Sequence, residues 1–171
     1  MDNKTNPPQN KKKNLKKYFS YKEAFKRIIF GINKGYYLEA ITIEEGIITD
    51  RLISSLYGKG YLNNLTVDNI SKSEFSFYNI INIWEKHMKP LKIEINQFKD
   101  LISEVNKFRI NRNICIHGLV KSFPGTPTIA VSNFLELAKT TSQDGFLLCR
   151  AVDKWHFTEK KKDLKKKRMK Q

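Results

Sequence analysis

The sequence predicts an all-α protein, a four- to five-helix up-down bundle, on three observations. Apolar residues recur at three- and four-residue spacing over five segments, serine-x-x-glutamate pairs of the kind that cap helices stand near two of them, and no segment sustains the strict alternation of a half-buried strand. The first helix is expected from about Ser20, where Ser20 and Glu23 make a capping pair and Tyr21, Phe25, Ile28, Ile29 and Ile32 trace one face up to Gly35. The second covers about Tyr36 to Tyr57 on the stripe Leu38, Ile41, Ile48, Leu52, Leu56, stopped by Gly58 and Gly60. Ser71 and Glu74 repeat the capping pair ahead of a third helix through Phe77, Ile81, Trp84 and Met88, which ends before Pro90. A fourth, from about Ile95 to Val120, turns Phe98, Leu101, Val105, Phe108, Cys115, Ile116 and Leu119 inward, and Pro124, Gly125 and Pro127 form a turn after it. The fifth covers about Ile129 to Phe157, with the run Thr141 to Gly145 a candidate interruption.

A hydrophobic content of 40% over 171 residues supports one core rather than two. The expected organisation is a disordered basic tail over 1–17, a single helical domain over 18–157, and a basic tail or helix extension over 158–171. Charge follows the same division. The first seventeen residues carry six lysines against Asp2, and residues 154–171 carry eight lysines and Arg168 against two acids, whereas the body between them nets only +3 of the total +15. Such ends attract polyanions in a salt-sensitive way, which points to a nucleic acid and to Lys160, Lys161, Lys162, Lys165, Lys166, Lys167 and Arg168 as its contacts. The competing explanation is compositional, since Lys, Asn and Ile are abundant throughout the sequence. No stretch is apolar enough for a membrane span or a secretory signal, so a cytoplasmic protein without a membrane partner is expected. Cys115 and Cys149 lack the pairing of a zinc site and read as small buried hydrophobes. His87 and His156 supply no pair of Glu-x-x-His motifs, so neither a metal nor another cofactor is expected.

Two charges interrupt apolar stripes. The stripe of the fourth helix passes through Leu101, Val105 and Phe108 to position 112, an arginine, before reaching Cys115. The second helix runs Leu38, Ile41, position 45, Ile48, and position 45 is a glutamate. An unpaired guanidinium facing a core is costly, so Arg112 calls for a partner, with Glu45 or its neighbour Glu44 available across the bundle. Arg109, Asn113 and His117 follow one another at four-residue spacing and share a face. An arginine can hold a phosphate through its planar fork and a histidine can move a proton near neutral pH, which together supply a metal-free phosphodiester reaction.

The segment Arg112-Asn113-Ile114-Cys115-Ile116-His117, late in a small all-α chain, resembles the HEPN superfamily, whose hallmark is an arginine, four to six residues, then a histidine. The acidic, Ile-rich stretch from Tyr37 to Leu52 is similar to an early helix of some bacterial members, and the resemblance covers about residues 20 to 157. It implies a HEPN-like fold and a homodimer in which two copies of the motif form a composite endoribonuclease site. In that site His117 would serve as general base or acid, Arg112 would stabilise charge on the phosphate and Asn113 would orient them, leaving a 2′,3′-cyclic phosphate. Glu45 and Arg109 would support them. The family also implies a toxin-antitoxin or phage-defence setting beside a separate nucleotidyltransferase-like antitoxin. Because other members have lost activity, the alternative is a catalytically inactive helical module that binds RNA or a protein partner.

Overall fold

The computed structural model describes residues 9–62, 76–88, 93–118 and 129–169, with side chains from Leu15 onward except that of Lys167. Five helices form the bundle: α1 (Gln9–Lys34), α2 (Tyr37–Gly58), α3 (Phe77–Met88), α4 (Leu101–His117) and α5 (Val131–Arg168). The described residues contain no strand. Their one isolated bridge joins Ile95 and Phe98 across a tight turn. The all-α bundle expected from the periodicity is what the chain forms. The capping pair at Ser71 and Glu74 and the turn at Pro124, Gly125 and Pro127 lie outside the described residues.

Helix ends follow local chemistry. Gly35 takes a left-handed φ of 80°, and the pair Tyr36 N–H to Gly31 C=O at 2.8 Å and Gly35 N–H to Ile32 C=O at 3.4 Å closes α1 in a Schellman turn. Gly60, with φ 77°, ends α2 in the same way through Tyr61 N–H to Leu56 C=O and Gly60 N–H to Tyr57 C=O, both 3.0 Å. Ser76 caps α3 by accepting from Asn79 N–H, and Asp100 caps α4 by accepting from Ile102 and Ser103 N–H.

Three features of the helices differ from the sequence expectation. Helix α1 begins at Gln9 rather than near Ser20, and Ser20 is no cap: its hydroxyl donates to the Lys16 carbonyl one turn back, an interior helix bond. The disorder expected over 1–17 is therefore replaced by helix from Gln9 on, where Lys17 is tied at 2.9 Å to Asp50. Helix α4 starts at Leu101 and not Ile95, because Asn96 adopts φ 53° and Asp100 supplies the cap. Helix α5 runs through Thr141–Gly145 without the candidate interruption, and it continues past Phe157 to Arg168, which is the helix extension of the two forms expected for that end.

Pairings between helices set their directions. Lys17 meets Asp50 and Arg27 meets Glu39, so α1 and α2 are antiparallel. Arg51 meets Asp153 and Lys59 meets Glu159, so α5 runs parallel to α2. Cys115 contacts Thr141 and Lys154 reaches Asn96, so α4 opposes α5. These four helices alternate as an up-down bundle requires. Helix α3 runs with α2, since Phe77 meets Phe108 at one end, Trp84 meets Trp155, and His87 stacks on Tyr61 at the other. Helix α2 is central, packing on the other four, and Ile41, Ile48, Leu52 and Leu56 are buried along it.

Candidate functional site

Arg112 sits where the apolar stripe of α4 faces α2, and Glu45 sits opposite it. The Nε and Nη2 groups of Arg112 both lie 2.6 Å from Oε2 of Glu45, and Nη1 donates to Oδ1 of Asn113 at 2.9 Å. The two side chains remain only 23% and 18% exposed, so the pair is a partly desolvated clamp rather than a solvated surface bridge. A guanidinium has five N–H donors, and these contacts engage three, leaving two for another acceptor.

Glu44, the other candidate partner, turns into the core. It is fully buried, neither carboxyl oxygen finds a hydrogen-bond partner among the described residues, and burial pushes its carboxyl up to about 9. At neutral pH it is an uncharged acid, and it cannot compensate Arg112. The 100° step between adjacent helical positions thus separates an ion-pair partner from a core residue.

His117 is the last residue of α4 and its ring is exposed. Among the described residues nothing hydrogen-bonds to it. Asn113 was expected to hold this imidazole; instead its carbonyl oxygen accepts from Arg112, the better donor within reach. Arg109 shares the expected face of α4 by position, but its side chain engages other partners. Its Nε donates to Asn106 at 3.0 Å and its guanidinium lies 5.0 Å from the Tyr78 ring centre, so it braces α4 against α3. The structure therefore joins Glu45, Arg112 and Asn113 and leaves His117 and Arg109 apart from them. Five residues separate Arg112 from His117, which is about 7.5 Å along the helix and roughly 140° around it. Two surface concavities, of about 610 and 280 Å³, lie against α1–α2 and α4–α5, and neither is lined by Arg112 or His117.

A second polar cluster went unread in the sequence. Arg51 is buried on α2 with its Nε 2.6 Å from Asp153 on α5, its guanidinium stacked 3.8 Å from the Tyr21 ring centre, and Tyr21 donating to Asp50. His156 packs nearby, its Nδ1 without a hydrogen-bond partner among the described residues, and burial together with the Arg51 and Lys160 charges lowers its pKa. The available signal was Arg51 lying between Ile48 and Ser55 at helical spacing, as Arg112 lies between Phe108 and Cys115.

Lys160, Lys161, Lys162, Lys165, Lys166 and Arg168 are exposed on the last turns of α5, with Lys162 3.0 Å from Glu159. Among the described residues no three His, Cys, Asp or Glu side chains gather as a metal site, and no helix is long and apolar enough to cross a membrane. No family model, curated protein or solved structure matches the chain.

Proposed function

We propose that this chain is a metal-independent endoribonuclease of HEPN type, working as a homodimer with a composite site. The observation that supports it best is Arg112 itself. Its guanidinium is held by Glu45 and Asn113 with two donors left over, on a helix that ends in an exposed histidine. A pre-oriented fork of this kind suits a phosphate oxygen whose charge grows in the transition state. The angular offset between Arg112 and His117 within one helix is what a second copy overcomes, by placing its imidazole beside the first copy's guanidinium.

In that arrangement His117 takes the proton of a ribose 2′-hydroxyl and the 2′-oxygen bonds to phosphorus. The bond from phosphorus to the 5′-oxygen breaks, and a protonated imidazole, the partner's His117, delivers a proton to that oxygen. The ends are a 2′,3′-cyclic phosphate and a 5′-hydroxyl, and DNA is not a substrate because it lacks the nucleophile. Arg112 stabilises the phosphorane-like charge and Asn113 orients Arg112. Purified protein should cut structured RNA in EDTA, and His117→Ala and Arg112→Ala should each abolish cutting while the protein sediments as a dimer. Equal cutting by all three proteins rejects the proposal.

A second reading has its own support. Glu45 already neutralises Arg112 within one chain, as in an ion pair that only holds α2 to α4. On that reading the chain is a catalytically inactive module for RNA or a protein partner, and RNA binding without cleavage in the same assay selects it. A toxin-antitoxin or phage-defence role, with a nucleotidyltransferase-like antitoxin, belongs to the first reading, and growth arrest on expression that His117→Ala relieves is its test.

A further inference from the structure

The described parts of the two basic ends, in α1 and α5, head toward one pole of the bundle. Arg51 lies between two rings, with Tyr21 of α1 centred 3.8 Å and Phe157 of α5 centred 4.9 Å from its guanidinium carbon. From these roots α1, read backward, and α5, read forward, both head toward the last turns of α2, where Lys59 meets Glu159 at 3.1 Å. On the way there the α1 arm presents Lys16, Lys17 and the exposed rings of Tyr18 and Phe19, an edge-to-face pair 5.6 Å apart, level with Asp50 and so about 10 Å short of Lys160 along the bundle. The α5 arm presents Lys160, Lys161, Lys165, Lys166 and Arg168.

This pole is remote from the arginine and histidine motif. Because α4 opposes α5 and Cys115 contacts Thr141, His117 stands level with the early turns of α5. Some twenty residues of α5 then separate it from Lys160, which is about 30 Å at 1.5 Å per residue.

We propose that the two arms form one binding surface for single-stranded RNA, with phosphates on the lysines and unstacked bases on Tyr18 and Phe19. This deepens the proposed function and takes RNA as the ligand from it: a substrate is held about 30 Å from the bond that is cut. Charge on the α5 arm lies on every side of the helix, and beyond Phe157 its apolar residues are Leu164 and, just past the helix end, Met169, too few to make a face that inserts into a bilayer. Exposed aromatic rings favour unpaired bases, whose π-faces are free, over a duplex.

Fluorescence anisotropy with a labelled 30-nucleotide single-stranded RNA, in EDTA, tests the surface. Replacing Lys160, Lys161, Lys165 and Lys166 by Gln should weaken binding at least tenfold and reduce the slope of log affinity against log salt by about 3. The same four positions as Arg should retain wild-type binding. Tyr18→Ala with Phe19→Ala should also weaken binding, with the salt slope unchanged, and His117→Ala should bind as wild type does. Wild-type affinity and slope in the Gln variant overturn the proposal, as does attachment to phosphatidylserine vesicles by a protein that ignores the RNA. If His117→Ala and wild type bind alike but neither cuts, the catalytic reading fails and this one stands. If cutting survives while the arm variants bind normally, the reverse holds.

Discussion

Gly145 of α5 faces the carboxyl group of Glu44 on α2 so closely that a methyl group would overlap Oε2, and that methyl would also stand 2.6 Å from the Phe108 ring. Glycine is tolerated inside a 38-residue helix at this point because two helices and a buried acid meet over it. Its usual cost relative to alanine, about 1 kcal/mol, is smaller than the cost of forcing the elements apart.

Gly145→Ala should therefore destabilise the protein by about 1–3 kcal/mol in urea unfolding, although alanine is the better helix former. Combining it with Glu44→Ala should recover part of that loss, since the carboxyl is the nearest obstacle. Additive losses in the double variant would show that some other contact sets the penalty.

Glu44 gives stability a definite pH dependence. Its folded pKa is raised from 4.5 to about 9, so the folded state holds a proton that the unfolded state has released. The associated stability is full below the unfolded value and drains as pH rises through about 9. Between pH 7 and 9 the loss should be about 3 kcal/mol, from the two pH units crossed. The lowered groups, His156 above all, act at lower pH, and the thiols and Tyr21 are raised from values at or above 9, so Glu44 dominates this window and the two buried thiols add to the slope only as pH nears 9. Thermal melts of Glu44→Gln should lose most of this slope, keeping only the part that the thiols add close to pH 9. A slope equal to wild type in that variant would assign the dependence elsewhere.

Arg51 is held at 2.6 Å by Asp153 and packed between Tyr21 and Phe157, so Asp153→Ala leaves a buried guanidinium uncompensated. A loss of about 3–5 kcal/mol is expected, against less than about 1 kcal/mol for the exposed Arg27–Glu23 bridge. Chemical denaturation of the two variants side by side checks the contrast.

If the chain cleaves RNA as proposed, Arg112→Lys should keep the fold and lose most cleavage. A lysine preserves the charge opposite Glu45 but cannot give two donors to one carboxylate oxygen and a third to Asn113 while offering more to a phosphate. Cleavage should fall by about 100-fold, the scale of one preorganised charge-stabilising donor, with a melting temperature close to wild type. Full activity in Arg112→Lys would mean that the fork has no role beyond its charge.

Much of the architecture was readable in residue order because it is local. Gly35 and Gly60 end helices by their own φ, and the spacing of Ile41, Ile48, Leu52 and Leu56 marks the core face of α2, whereas the Asp100 cap was passed over because apolar residues continue back through Phe98 to Ile95. Ser20 misled for a local reason as well, since a serine hydroxyl bonds to a helix start or to a carbonyl one turn back with equal ease, and Lys17 and Tyr21 bonding to Asp50 favoured the longer helix. Arg51 was missed because its neighbours on one face are polar and its burial comes from α1 and α5.

By itself, then, the sequence determined five helical segments, a guanidinium and a carboxylate intruding on two apolar stripes, and charge gathered at both ends. Only tertiary packing decided that Glu45 rather than Glu44 meets Arg112, that Asn113 serves the arginine and not His117, that Arg109 turns to Tyr78, and that both basic arms head toward the pole away from His117. Periodicity specifies which face of a helix is buried, whereas the rotation and axial register of one helix against another come from side chains interlocking across the interface, and no single segment contains that information.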